Sequence, residues 1–372
     1  MKKIILFFAI LFLTTGLSAQ MDLPPSGGNP RAMVSEEVGI TSITIKYSRP
    51  DVNKREGKIF GDGNRVPYGF KDQNFLTGKN ESPWRAGANE ATTITFEHNV
   101  KVEDKDIKAG TYALFMAMGA NNVTLIFSNQ SEAWGSFSYT SDEDVLRVDV
   151  KPVVLDKSVE WLKYEFIEHG EKHCVVAMQW EKMAVPFKIN VDVDNIVVSS
   201  LRKEMTGRKS FTPALELQAA QYCLNKNINL EEALRWSKNA IDGPGGQRTY
   251  ITLRNLATAF EKLQRIPEAD SVMTEALTIA TANQYTAYGR QLITQKRADK
   301  AMEVFKASEK RYGDMLGVNN GLMSGYSAKG DFKNAVKYAE KALAQAPNEA
   351  TKTQLAGFIT KLKEGKDINQ AP

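Results

Sequence analysis

The chain has 372 residues, of which 42% are hydrophobic and 25% charged, with a net charge of +4. This composition excludes a disordered or fibrous protein, and two cysteines are too few for a disulfide framework. The charge is uneven: residues 1–200 carry 22 Lys+Arg against 26 Asp+Glu (net −4), and residues 201–372 carry 26 against 18 (net +8).

Residues 1–19 read as an export signal. Lys2 and Lys3 form a basic start, Ile4 to Leu13 an apolar stretch too short to span a bilayer, and Thr14 to Ala19 a small-residue exit. An exported, periplasmic or envelope protein is expected, soluble and with no integral membrane segment after cleavage. No Cys follows the apolar stretch to carry a lipid. Export also argues against nucleic acid as a partner. The remaining length suggests two domains.

Residues 20–198 carry the pattern of strands. Ile43, Ile45 and Tyr47 alternate with Thr44 and Lys46. Thr111 to Met116, Val123 to Ser128, Val145 to Val150, Trp161 to Ile167, Cys174 to Trp180 and Phe187 to Val193 are short β-rich runs bounded by turn residues. His169 to Lys172 reads as a hairpin turn. With no long helix between them, a β-sandwich or related barrel is expected. Residues 51–83 form a long ordered loop or lid, anchored by Ile59-Phe60 and Val66-Pro67-Tyr68.

The stretch from Trp84 to Phe96 is the richest in candidate chemistry. A polar loop from Arg85 to Glu90 runs into an alternating strand, which is how a scaffold presents a site. Arg85 is a planar donor for a carboxylate or phosphate, Asn89 an orienting amide, Glu90 an acceptor or general base, and Trp84 a stacking surface. The competing reading is an Arg85–Glu90 pair that locks the loop, with Trp84 as a core plug. Arg49, Arg55 and Arg65 lie in the same loop-rich region and are candidates to converge on the site.

This stretch, with Tyr47-Ser48-Arg49-Pro50, Ile59-Phe60-Gly61, Val66-Pro67-Tyr68-Gly69 and Ala109-Gly110-Thr111-Tyr112, resembles the bacterial family called domain of unknown function 2911. The resemblance covers residues of about 30–195. It implies no activity, because the family has none established. Trp134 to Tyr139, followed by Asp142, Glu143, Asp144 and Arg147, also matches the family. Trp134, Tyr139 and Asp144 suit carbohydrate recognition, but the favoured reading is a core Trp and Tyr on an alternating strand followed by a polar turn.

Other chemistry is thin. His169, His173 and Cys174 flank the hairpin turn and do not make a metal set. Asp192, Asp194 and Asn195 lack the Gly turn and later Glu of a Ca²⁺ loop. Ser136 and Ser138 have no adjacent His. No phosphate loop, dinucleotide fingerprint or zinc motif occurs, so no cofactor and no metal are expected. Cys174 and Cys223 read as buried small hydrophobes, with a bridge between domains as the alternative.

After Leu201 the period turns helical and repeats. Ala233, Ala269, Ala301 and Ala335 are 36, 32 and 34 residues apart. Seven residues after each comes Ala240, Ala276, Ser308 or Ala342, and nine before each comes Leu224, Phe260, Leu292 or Tyr326. Small residues let paired helices approach, and bulky ones fill the groove between them. The spacing resembles the tetratricopeptide repeat. The last unit, from Gly325-Tyr326 to Pro347, fits best, and the first three are degenerate, with Gln221 and Ala257 where that family prefers Gly. Pro213 suits the first turn of the first helix. The cations of this half read as solvated helix faces.

The expected fold is therefore multidomain β + α: a signal over 1–19, a β-sandwich over 20–198, a linker over 199–211, a tetratricopeptide-like α-helical solenoid of about four hairpins over 212–365, and a tail over 366–372. The repeats are expected to hold a protein or peptide partner. The loop is expected to hold a small polar ligand through Trp84, Arg85, Asn89, Glu90, Arg49, Trp134, Tyr139 and Asp144. The alternative is a hydrolase of a glycan or other polar substrate, with Glu90 and Asp144 as its carboxylates in one cleft. No catalytic residue is assigned beyond that alternative.

Overall fold

The computed structural model describes residues 28–71, 81–207 and 212–370; the expected export signal lies outside them. The chain divides between Val197 and Val198 into two compact units.

The first unit is built from ten antiparallel strands among the described residues. Strands β1 (Arg31–Val38), β2 (Thr41–Ser48), β3 (Thr93–Phe96), β6 (Gly110–Ala117), β7 (Val123–Ser128) and β8 (Asp144–Val150) form one sheet in the order β1-β2-β3-β6-β7-β8. Strands β4 (Val100–Val102), β5 (Lys105–Ile107), β9 (Val153–His169) and β10 (His173–Val191) form the second, ordered β5-β4-β10-β9. In β2 the alternation works as read: Ile43, Ile45 and Tyr47 are buried. They pack with Phe96, Leu114 and Phe127 of their own sheet and with Val176, Met178, Phe187 and Ile189 of the other. One apolar core shared by two sheets is the sandwich expected.

Two details differ from the expectation. Cys174 to Trp180 and Phe187 to Val193 are not separate strands. The first run and most of the second belong to β10, which continues through register shifts around Glu181, where φ is 52°. Bulges let a long strand bend without ending. Trp134 to Tyr139 is a series of turns, not a strand. The hairpin turn at His169 does form, with the Gly170 amide donating to the His173 carbonyl at 2.9 Å. The long loop after Asp51 is anchored where it was expected to be, since Ile59 and Val66 are buried.

Part of the linker expected over 199–211 is helical: α1 (Val193–Thr206) runs through its first residues, and residues 208–211 lie outside the described ones. Val198 of α1 is buried, and Leu201 and Met205 pack on the helical core. The second unit continues with four hairpins: α2 (Pro213–Lys226) with α3 (Leu230–Asp242), α4 (Tyr250–Lys262) with α5 (Ile266–Thr278), α6 (Ala282–Thr294) with α7 (Ala298–Tyr312), and α8 (Leu316–Ala328) with α9 (Phe332–Ala344). Helix α10 (Glu349–Lys363) follows. Pro213 is the first residue of α2, where its missing N–H costs nothing. Ala233, Ala269, Ala301, Ala335, Ala240, Ala276, Ser308 and Ala342 are all buried, as close helix approach requires.

The third hairpin is better formed than its sequence indicated. Gly289, in the register of Gln221 and Ala257, faces the ring of Phe305 so closely that a Cβ would lie 2.2 Å from it. Gly321 and Gly325 approach the same ring, with Cβ positions 2.7 Å away. Phe305 is thus a knob seated on three glycines of α6 and α8. The tail is not free either. Ser327 Oγ donates to Asp367 at 2.7 Å, the Ile368 amide donates to Ser327 Oγ at 3.0 Å, and Asn369 donates to the Ser324 carbonyl at 2.9 Å. No helix among the described residues is long and apolar enough to cross a membrane.

Candidate functional site

The Arg85 loop is held from beneath by the sandwich. Trp84 bridges to Met116 of β6 through two backbone hydrogen bonds of 2.9 and 2.8 Å. The Ala86 carbonyl accepts from the Tyr164 hydroxyl at 2.9 Å and from Thr92 Oγ1 at 3.0 Å. The Gly87 carbonyl accepts from Trp84 Nε1 at 3.2 Å, and the Ala88 amide donates to the Ser48 carbonyl at 3.2 Å. Gly87 is required by space, since a Cβ there would lie 2.7 Å from Thr92 Oγ1. Ala86 and Asn89 sit at φ of 52° and 59°. Left-handed backbone at a non-Gly residue costs about 1–2 kcal/mol. These six hydrogen bonds offset that strain and fix the loop.

Trp84 is buried, stacked on Trp180 at a centroid distance of 5.9 Å and edge-on to Phe60 at 6.0 Å. The core-plug reading of Trp84 describes its environment. The Arg85–Glu90 lock does not form. Glu90 pairs with Arg31 at 2.5 Å and accepts from Ser48 Oγ at 3.4 Å. Arg85 instead donates from Nη1 to the Asn89 carbonyl at 2.7 Å and lies 4.7 Å above the Phe137 ring. Gly135, at φ +69°, makes room for it: a Cβ there would be 2.4 Å from the guanidinium carbon.

The turn at Asn89-Glu90 therefore faces two pockets. Glu90 lines one of about 460 Å³, with Arg31, Lys46, Tyr47, Thr93 and Glu132. Arg85 and Asn89 line the other, of about 500 Å³, together with Asn64, Arg65, Lys71, Trp134, Trp180 and others. No carboxylate among the described residues lines this second pocket. Arg65 is exposed, and Lys71 reaches Asp62 at 2.9 Å in an open pair. Trp134 is 60% exposed, which corrects the reading of it as a core residue. Two N–H donors in the walls, Asn89 Nδ2 and Trp180 Nε1, are buried without an acceptor. Such a donor costs about 1–3 kcal/mol.

The other candidate residues are spent on structure. Arg49 donates to the Leu162 carbonyl at 2.8 Å, and Arg55 is tied to Asp51 and the Val52 carbonyl. Of the three arginines considered for convergence, Arg65 alone lines the pocket with Arg85. Tyr139 is buried and donates to Asp144 Oδ2 at 2.7 Å, and Arg147 Nη2 bonds both, at 2.8 Å to Tyr139 and 2.6 Å to Asp144. Burial, then the Asp144 bond, pushes the Tyr139 phenol well above its usual range, so it stays a donor at neutral pH. Asp144 is not among the walls of the Glu90 pocket, so the structure does not bring the two carboxylates together there as the hydrolase alternative requires.

Among the described residues no cluster suited to a metal occurs. His169 bonds Glu36, His173 bonds Glu168, and Asp194 pairs with Lys172. Cys174 and Cys223 form no disulfide and are buried, and burial pushes the Cys174 thiol up to about 12.

The residues that sequence reasoning missed are Asn29, Asn64, Lys71, Phe137 and Trp180. Asn64 and Lys71 share the loop of residues 51–83, Phe137 lay in the stretch from Trp134 to Tyr139, and Asn29 and Trp180 were not considered for a site.

Sandwich and helical array together define a two-unit protein of an antiparallel β domain and a tetratricopeptide-like solenoid. Residues 29–189 match the model of the family described as "Protein of unknown function (DUF2911)". No curated protein matches the chain significantly. The solved structures similar to it are tetratricopeptide-repeat proteins that match the C-terminal helical part. The Cut9–Hcn1 hetero-tetramer of the APC/C is 18% identical with a TM-score of 0.32, over 47% of this chain and 36% of that one. The chain thus spans about a third of that protein. YrrB, described as a TPR protein with an unusual peptide-binding site, is 16% identical with a TM-score of 0.31, over 44% of this chain and 84% of that one. A tetratricopeptide repeat protein from Parabacteroides merdae ATCC 43184 is 14% identical with a TM-score of 0.32, over 46% and 68%.

Proposed function

We propose that the protein is a non-enzymatic binding protein of the cell envelope. Its helical repeats hold a protein or peptide partner, and its β domain holds a small polar ligand beside the Arg85 loop. The observation that carries the reading is the pocket of about 500 Å³ with Arg65, Lys71 and Arg85 in its walls and no described carboxylate opposite them. Its volume is in the range of small-molecule sites. The loop that forms one wall is pre-organised, which lowers the entropy lost on binding. The envelope location rests on Lys2, Lys3 and the apolar stretch from Ile4 to Leu13. The helical partner rests on the habit of such arrays to hold peptides along one face.

A thermal-shift screen of the full chain against sugars, peptidoglycan fragments, nucleotides, carboxylates and divalent metals tests the ligand half. A stabilising compound whose effect is lost in Asn89→Ala and kept in Glu90→Gln supports the pocket, because Glu90 faces the other side of the turn. A compound that needs Glu90 instead would move the site to the Arg31 pocket. The hydrolase alternative is not adopted, since no observation favours it: Glu90 is ion-paired with Arg31, and Asp144 is bonded to Tyr139 and Arg147.

A further inference from the structure

Resting on the reading of this pocket as a ligand site, we infer its ligand class: a small organic anion, a carboxylate or monophosphate, that carries one flat ring. The argument starts from charge. The first 200 residues are net negative, yet the pocket gathers three cations, two from the loop of residues 51–83 and one from the Trp84–Asn89 loop. The Asn64-Arg65 turn brings one, Lys71 another, and the Trp84–Asn89 loop the third. Lys71 pairs with Asp62, and both members of that pair are more than half exposed. Exposed pairs of this kind are weak and exchange readily. Arg65 has no side-chain partner among the described residues. A positive excess in a recess raises the local concentration of anions.

The ring requirement comes from the rest of the wall. Trp134, 60% exposed overall, lines this pocket, and Phe137, Pro67 and Val66 line it as well. An exposed indole offers a face for a flat group. The space, about 500 Å³, is far more than a bare phosphate or carboxylate fills. Amide side chains of Asn29, Asn64 and Asn89 line the same recess and suit the polar substituents of such a ligand.

Isothermal titration of the full chain with four probes tests this: phenyl phosphate, benzoate, inorganic phosphate and benzyl alcohol. One equivalent of phenyl phosphate or benzoate is expected to bind, and whichever of the two binds tighter distinguishes the phosphate from the carboxylate form. Inorganic phosphate lacks the ring and benzyl alcohol lacks the charge, so each should bind at least about tenfold more weakly. Arg65→Ala and Lys71→Ala are surface changes that leave the melting temperature unchanged, and each should weaken the ring anion by about fivefold to tenfold. Trp134→Ala should reduce it to the level of inorganic phosphate. Binding should also fall as salt is raised, because the cations are open to solvent.

Benzyl alcohol binding as tightly as phenyl phosphate would overturn the anion class while leaving a polar-ligand pocket standing. A ring anion whose affinity is untouched by all three substitutions sits elsewhere, and the inference fails. Silence from the four probes together with silence across the thermal-shift panel would remove both the inference and the pocket reading beneath it.

Discussion

The two units handle their charges in opposite ways. The helical half is the more basic by composition, yet its arginines are largely neutralised along helix faces. Arg202 pairs with Glu232, Arg248 with Glu275 and Asp242, Arg265 with Glu268, and Arg297 with Asp270. The β domain is acidic by composition, yet it holds the recess with cations and no described acid. Net charge over a half of a chain therefore says little about where an anion would bind. Strands and loops bring cations of different loops to one point, whereas a solenoid spaces its charges along a surface and pairs them within a helix or with a nearby one.

The cores differ as well. The sandwich fills its interior with large side chains such as Trp180, Tyr164, Phe96 and Phe187, all buried. The solenoid gains closeness from alanine and glycine, with single large rings such as Phe305 seated among them. The sandwich should be damaged most by removing polar locks at its rim, and the solenoid by adding bulk.

Gly325→Leu should have the largest effect, because the added side chain meets both Phe305 and Met302 at distances no packing tolerates. A loss of about 3 kcal/mol or more is expected in urea unfolding followed by helical circular dichroism, at the upper end of overpacking costs. A loss below about 1 kcal/mol would mean the Phe305 seat is loose.

Asp144→Ala comes next. It leaves Tyr139 and Arg147 facing each other without their shared acceptor, with the Asp144 side chain now 7% exposed. A cost of about 2–3 kcal/mol is expected, read in the near-ultraviolet signal of the sandwich. An unchanged melting curve would reopen Asp144 as a residue kept for chemistry.

Ending the chain after Gly365 removes Asp367, Ile368 and Asn369 from their contacts with Ser327 and Ser324. About 1–2 kcal/mol should be lost from the helical transition alone. A loss shared equally by both transitions would contradict the separation into two units.

Ser308→Ala should give the smallest change and the opposite sign. Ser308 stands where the other hairpins have alanine, and its buried hydroxyl has no partner. Removing it should stabilise the helical unit by up to about 1 kcal/mol, seen as a higher midpoint in the same urea titration. A destabilisation would show that the hydroxyl is satisfied by water.

Much of the architecture was legible in the sequence. Alternation in β2 and the recurrence of small residues at Ala233, Ala269, Ala301 and Ala335 each report a local period, and the period alone selects strand or helix, while β6 and β7 were legible as short β-rich runs. The turn at His169 and the start of α2 at Pro213 are likewise local matters. The Arg85 loop could be singled out because its Gly, Asn and Arg content is visible in a few consecutive residues.

What only tertiary structure decided is which way the side chains point. The turn at Asn89, with its positive φ, sends Asn89 to one pocket and Glu90 to the other, although they are neighbours in the chain. Trp84 and Trp134 each open a loop rich in small and polar residues, yet one is sealed against Trp180 and the other stands 60% exposed. Lys71, Asn64 and Trp180 enter the site from segments with no common pattern. Loop closure over such separations is set by how the two sheets pack and by the hydrogen bonds that pin Ala86 and Gly87, which no local period encodes.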